Sequence, residues 1–374
     1  MRERGGAVLG TSRIKSENDY DLTQIIRLWD IIRSRNLPLR KRPIRRMIMR
    51  PTIHAVLGAT LSFALCQPAL AAWPEDRPIE VIVGFPAGGG TDIMARKLIP
   101  FMEKRLGGKA RFIVLNKPGA AGEISTTAIA RAEPDGYTIG VVNVPSFLFV
   151  PMTKKSQYSP DDVRLVARVV DDPTVVVVRA DSKLSNLKDI VEALRAKPGS
   201  ITFGHNGVGS NGHLALRLMA DATKVQANEV PYRGTAAQKT DLLGGHLEVG
   251  LISAGEVAEL HGGAKGDLKV IAILAKSRLP ALPGVPTAEE AGVPVVMSSE
   301  RGFAVAKSVP DMVVRALEAA IADSVRDPEF IASSPGDAPV LSYASGSQWK
   351  ESLSENAKVL RAIADTLPKD SLPK

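Results

Sequence analysis

The chain has 374 residues, 44% hydrophobic and 24% charged, with 32 glycines, 26 prolines and a single cysteine. Its formal net charge is +8, yet 13 of its 48 basic and 5 of its 40 acidic residues lie in residues 1–72, which leaves 35 of each in the remainder. A formally neutral body lacks the basic face that nucleic-acid binding needs. The lone cysteine, Cys66, lies in the leading segment, so the remainder has neither disulfide nor thiol chemistry.

The leading segment reads as targeting rather than fold. Residues 40–50 are arginine-rich, residues 55–65 are apolar, and Ala69-Leu70-Ala71 offers the small-x-small pattern of a cleavage site. That order is a secretory signal, over 47–72, and the expected location is periplasmic. The apolar run is shorter than the roughly 20 residues of a membrane span. Residues 1–46 precede an ordinary signal and are expected to be a non-native or disordered extension, with translation starting at Met47 or Met49. Arg45-Arg46 leaves a twin-arginine route open beside the general one. Phe63-Ala64-Leu65 puts no small residue before Cys66, so a lipoprotein anchor is not expected.

From residue 73 onward strand and helix patterns alternate. Residues 79–84 read as a strand. Ile93, Met94, Leu98, Ile99, Met102 and Leu106 then recur at helical spacing, with Thr91 or Asp92 as the expected N-cap. Strands are expected at 111–115 and 137–142, with a short helix between them ending near residue 130. A second series follows Asp171-Asp172-Pro173: strand 174–179, helix 185–196 capped by Ser185, strand 201–203, helix 213–222, strand 226–230, helix 235–243, and strands 247–252 and 269–275. Residues 295–297 and 302–305 read as further strands, and 310–325 and 348–367 as long helices. Repeated β-α-β order implies a mostly parallel sheet covered by helices. The late segment holds too little sheet for a third domain. It is expected to pack back on the first, so that the chain crosses between lobes near 169–173 and 295–301. Two crossings make a hinge able to close on a ligand, with Asp171 and Asp172 on its surface.

Two loops carry the chemistry. Phe85-Pro86-Ala87-Gly88-Gly89-Gly90-Thr91-Asp92 and Gly204-His205-Asn206-Gly207-Val208-Gly209-Ser210-Asn211-Gly212 each join a strand to a helix start. Such a junction leaves N–H groups unpartnered at the positive end of a helix dipole and makes an anion site from backbone. The bland alternative is a tight connection and nothing more. Asp92 fits a capping and orienting role better than a ligand contact, because a free carboxylate repels an anion.

The second loop also contains Gly207-x-Gly209-x-x-Gly212, with Glu229 near the end of the next strand, a literal match to a dinucleotide fingerprint. An NAD-dependent oxidoreductase is therefore the alternative reading. Export argues against it, since the general route would deliver an unfolded chain to a compartment poor in that cofactor. Ser210 lacks the G-x-S-x-G elbow. His205 and His213 span a loop without a supporting carboxylate set, so no metal is expected. No cofactor and no catalytic set is expected either.

The ordered motifs resemble a known family. They run Trp73-Pro74, Arg77-Pro78-Ile79, the 85–92 loop, Asn116-Lys117-Pro118-Gly119-Ala120-Ala121-Gly122, Pro134-Asp135-Gly136-Tyr137-Thr138 and Lys197-Pro198-Gly199. Val230-Pro231-Tyr232-Arg233-Gly234, Asp241-Leu242-Leu243-Gly244-Gly245 and Leu282-Pro283-Gly284-Val285-Pro286-Thr287 complete the set. In this the chain is similar to the extracytoplasmic substrate-binding receptors of tripartite tricarboxylate transporters, the Bug or TctC family. The resemblance implies an α/β, two-lobed type II periplasmic-binding-protein fold, with lobe 1 from 73–171 plus 298–374 and lobe 2 from 172–297. It implies a monomer that binds a small carboxylate and passes it to a large and a small membrane subunit; a carboxylate-sensing co-receptor is a further alternative. Carried onto this chain, the ligand-binding set is Phe85, Ala87, Gly88, Gly89, Asp92, Asn143, Pro145, Ser146, His205, Asn206, Gly207, Gly209, Ser210, Asn211, Tyr232, Arg233 and Gly234. Where many relatives carry an aromatic residue, this chain reads Ser298-Ser299-Glu300-Arg301-Gly302. Arg301 joins the set as a candidate partner for a second ligand carboxylate, unless Glu300 neutralises it. A bulky β-branched residue at Gly89 or Gly209 is expected to abolish ligand-induced stabilisation with little loss of fold.

Overall fold

The computed structural model describes residues 73–262 and 267–366. The expected extension, the signal segment and Cys66 lie outside the described residues. Among those described, no helix is long and apolar enough to cross a membrane.

The first lobe opens with β1 (Ile79–Val83), α1 (Gly90–Arg105), β2 (Phe112–Asn116), α2 (Glu123–Ala130), β3 (Thr138–Val144) and α3 (Ser146–Thr153). β1 lies parallel between β2 and β3. β4 (Val163–Arg179) then runs unbroken for 17 residues. The second lobe follows with α4 (Leu187–Ala196), β5 (Thr202–His205), α5 (Asn211–Thr223), β6 (Asn228–Pro231), α6 (Thr235–Gly244), β7 (Val249–Ser253) and β8 (Leu268–Ile273). The chain returns through β9 (Ser298–Ala306) and ends its described part with α7 (Asp311–Val325), α8 (Pro328–Ser333), β10 (Leu341–Ser345) and α9 (Gly346–Thr366).

The strand order is β2-β1-β3-β9-β4-β7-β5-β6, with β8 and β10 also pairing with β4. The sheet is mixed. β1–β3 and β5–β7 pair in parallel, while the antiparallel pairs gather on β4 and β9. β4 serves both lobes: residues 163–173 pair with β9, and residues 174–178 pair with β7. Val175–Val178 are wholly buried, as a central strand covered on both faces requires, and their branched side chains suit it.

Several expectations change at residue level. The Asp171-Asp172-Pro173 stretch does not end a strand, because it stays paired with Ser298–Glu300 of β9, and Asp172 is 0% exposed and held by partners described below. Asp172 and Pro173 are therefore core rather than hinge surface, and Asp171 is half-buried. Residues 295–297 form no strand, and the strand expected at 302–305 instead begins at Ser298; its polar start hid it from a hydrophobicity reading. The N-cap of α1 is Gly89, which offers no side-chain cap. The cap of α4 is Asn186, whose side chain accepts from Asp189 N–H at 3.0 Å, in place of Ser185.

Candidate ligand-binding site

Between the lobes lies a cavity of about 190 Å³. The start of α1, the β3–α3 junction, the loop before α5, the start of α6 and the crossing strand β9 all reach it. Of the residues singled out from sequence, Phe85, Gly89, Asn143, Pro145, Ser146, Asn206, Ser210, Asn211, Arg233, Gly234 and Arg301 line it. Gly207 and Tyr232 line an adjoining cavity of about 440 Å³, which shares Phe85, Pro86, Asn206 and Arg233 with the first.

Ala87, Gly88, Asp92, His205 and Gly209 line neither cavity. Asp92 faces inward: Oδ2 accepts from Gly88 N–H at 3.0 Å, and Oδ1 accepts from Arg96 Nε and Asn116 Nδ2, each at 2.9 Å. Burial alone would raise its pKa, but these bonds hold it below the usual carboxylate range. Asp92 thus fixes the shape of its loop. Gly209 has φ +87°, and its carbonyl accepts from Ser146 Oγ at 3.0 Å, which ties the second loop to the start of α3.

A further anion seat adjoins Gly234 of the expected set, at Thr235, Ala236 and Ala237, which the set did not include. Gly234 caps α6 without a side-chain bond, and no described group accepts from the N–H groups of Thr235, Ala236 or Ala237. All three residues line the cavity. Donors without partners at a helix start, beside the positive end of its dipole, suit a carboxylate. The signal was present in the helix expected from residue 235 behind a glycine; attention to the two glycine-rich loops hid it. Asn206 supports this corner, with Nδ2 donating to Thr235 Oγ1 at 2.8 Å.

Alternation along β9 sorts its charges. Ser299 and Arg301 line the cavity, whereas Glu300 accepts from Arg168 Nη1 at 2.8 Å and Trp349 Nε1 at 2.7 Å. Glu300 therefore does not neutralise Arg301. Asp172 does: its Oδ2 accepts from Arg301 Nη2 and its Oδ1 from Gly255 N–H at 3.0 Å. Burial, with smaller pushes from Glu256 and Asp337, outweighs the pull of Arg301 and Gly255 N–H and holds the Asp172 carboxyl up at about 7. Arg301 would lose charge through burial, but Asp172, Glu256 and Asp337 hold its pKa above the ordinary value.

Behind the second loop, His205 and His213 pack with ring centroids 5.1 Å apart, and His213 Nδ1 accepts from Gly209 N–H at 3.2 Å. Burial, aided by Arg217, depresses them to about 4 and about 3, and the neighbouring His205 further lowers His213. Both folded-state values lie below the unfolded value, so the unfolded chain binds more protons on acidification. Their stabilising contribution is full above about 6.5 and fades as pH falls toward the folded values. Asp172, with its raised folded value, acts in the opposite sense over the same window. A comparison with His213→Gln isolates the histidine part. Denaturant titrations at pH 7 and pH 5 are expected to show a wild-type loss exceeding that of the variant by on the order of 2 kcal/mol. Equal losses would contradict the buried neutral pair.

Among the described residues no group of three His, Cys, Asp or Glu is placed to hold a metal. Glu229, the acid of the dinucleotide reading, is paired with Arg217 at 2.8 Å. A small cleft between lobes joined by crossing strands, lined by unpartnered backbone donors, defines a solute receptor of the type II periplasmic-binding-protein fold. Residues 94–363 match the model of the tripartite tricarboxylate transporter family receptor, TctC, and the chain belongs to that family. It is accordingly a receptor and not an enzyme, which overturns the oxidoreductase alternative. Protein BugT of Bordetella pertussis is 34% identical over 66% of this chain and 75% of its own length. The structure of periplasmic binding protein BugD is 28% identical with a TM-score of 0.71, covering 77% of this chain and 96% of that one. A MatC structure from Rhodopseudomonas palustris with bound malate has the same TM-score of 0.71, covering 77% of this chain and 99% of that one. At 24% identity it speaks to the fold alone.

Proposed function

We propose that this chain captures a small carboxylate between its lobes in the periplasm. Acting as a monomer, it delivers the ligand to the large and small membrane subunits of a tripartite tricarboxylate-type permease. The lobes are residues 73–171 with 298–374, and residues 172–297, joined by a hinge where β4 and β9 pass between them. The observation that carries this reading is the unpartnered start of α6 in the cavity. A carboxylate there gains charge-assisted bonds, roughly twice as strong as neutral ones. The helix dipole adds up to about 2 kcal/mol in a partly buried setting. Asn206 supplies support from lobe 2. From lobe 1, Thr91 N–H is also without a described acceptor, and Ser146 lines the same cavity.

A thermal-shift screen of the purified chain against small organic acids tests the reading. A carboxylate at 100 times its dissociation constant is expected to stabilise the fold by about 2.7 kcal/mol. Matching primary amides and NAD are expected to leave it unmoved. Stabilisation by the amides or by NAD, and not by any acid, would refute it.

A further inference from the structure

The wall of the cavity also holds a carboxylate that belongs to the protein. Glu256 ends a short turn, Ala254–Glu256, that follows β7. Its Oε2 accepts from Gly90 N–H at 3.1 Å, across the cleft. The first N–H of α1, one of the donors that the glycine-rich 85–92 loop offers to an anion, is thus already engaged. Glu256 Oε1 accepts no hydrogen bond from a described group, and Glu256 lines the cavity.

Arg301 is the second observation. It is 1% exposed and lines the same cavity. Nη2 donates to Asp172, but Nε and Nη1 are enclosed without an acceptor. A Cβ placed on Gly90 would run into both Arg301 Nη1 and the Glu256 carboxylate, so the three groups share one corner. That corner offers a ligand a free acceptor and free donors side by side. The one guanidinium there is already surrounded by three acids, Asp172, Glu256 and Asp337, and burial raises the pKa of Asp172 and Asp337. Lys239 Nζ binds the backbone carbonyl of Glu256 at 3.2 Å rather than its carboxylate. A second ligand carboxylate placed here would meet Glu256 at close range, whereas an ammonium would be attracted to it.

We infer that Glu256 sets the ligand class of this receptor, selecting an amino acid over a dicarboxylate. The ligand ammonium donates to Glu256 Oε1. The ligand carboxylate takes the start of α6 and the free Nη1 of Arg301. This rests on the carboxylate reading above and narrows it. It also replaces the expectation that Arg301 pairs with a second ligand carboxylate.

Calorimetric titration of the full chain with 2-aminobutyrate, 4-aminobutyrate, butyrate and succinate tests it. At least one aminobutyrate is expected to bind about tenfold more tightly than butyrate or succinate. In Glu256→Gln, which keeps an acceptor for Gly90 N–H, that advantage over succinate is expected to vanish or reverse. Succinate or butyrate binding the wild type as tightly as both aminobutyrates would overturn the inference and leave the carboxylate reading standing. An unchanged preference in Glu256→Gln would overturn it too, and the wild-type series decides alone if the variant does not fold. Failure of all four to bind would overturn the inference, while the carboxylate reading is decided separately by the wider acid screen.

Discussion

Arg301→Met is expected to lower the unfolding free energy by about 3–5 kcal/mol at pH 7, the usual cost of stranding a buried charge. The side chain is wholly enclosed and is the ion-pair partner of Asp172, which is itself 0% exposed. Removing the guanidinium leaves Asp172 beside Glu256 and Asp337 with no cation at their centre. The cost is expected to change little between pH 7 and 5, because Asp172, raised to about 7 even beside its partner, takes up a proton over that window in both proteins. It is expected to grow above pH 7, where only the wild type holds the charge beside a cation. Asp172→Asn combined with Arg301→Met is expected to lose less than the two single variants added together, since a buried pair removed as a unit leaves no stranded charge. Urea midpoints for the four proteins measure this cycle. A loss below about 1 kcal/mol in Arg301→Met would show that the pair is no part of the core.

Gly234→Val is expected to weaken binding of any accepted ligand by about a hundredfold or more, with the fold intact, as measured by calorimetry beside thermal unfolding of the free protein. Gly234 stands at the start of α6 in an extended conformation open to any residue, with φ 164°. A Cβ there would lie 3.1 Å from Pro86 Cδ, tighter than an ordinary contact, and valine adds two methyl groups to it. Pro86 belongs to the opposite lobe, so the substitution props the cleft at the carboxylate seat. Gly89 offers no such prop, since a built Cβ there meets only Pro86 O of its own loop, at 3.4 Å. Gly209 gives no clean test, contrary to the sequence expectation that its fold would survive. Its φ of +87° is strained for valine, and Phe149 Cδ1 lies 3.2 Å from the added carbon. Binding lost at Gly209 would therefore mix misfolding with site damage. Unchanged affinity in Gly234→Val would remove the start of α6 from the site.

The alternation of strands and helices was legible because each element repeats its own hydrophobic period. α4 buries Leu187, Ile190, Val191 and Leu194, a plain helical spacing. The glycine-rich loops were legible for a similar reason, since backbone donors follow from a turn and a helix start without knowledge of distant residues. Contacts set by tertiary structure were not. Asp172 and Arg301 are 129 positions apart, and Glu256 and Gly90 are 166 apart. In sequence, Asp171-Asp172-Pro173 looks like a surface turn because polar residues beside proline usually are. Its burial depends on an arginine that arrives only when β9 pairs with β4, where Val170 faces Arg301 across the ladder. Ser299 and Arg301 were hard to separate from Glu300 for the same reason: the strand register decides which side chain meets the cleft.

A crystal structure of the receptor with an accepted acid tests the central claim most directly. The account predicts a ligand carboxylate oxygen about 2.7–3.2 Å from the backbone nitrogens at the start of α6, in the cavity between the lobes. A bound acid whose carboxylate lies outside that cavity, or points away from Thr235, Ala236 and Ala237, would contradict it.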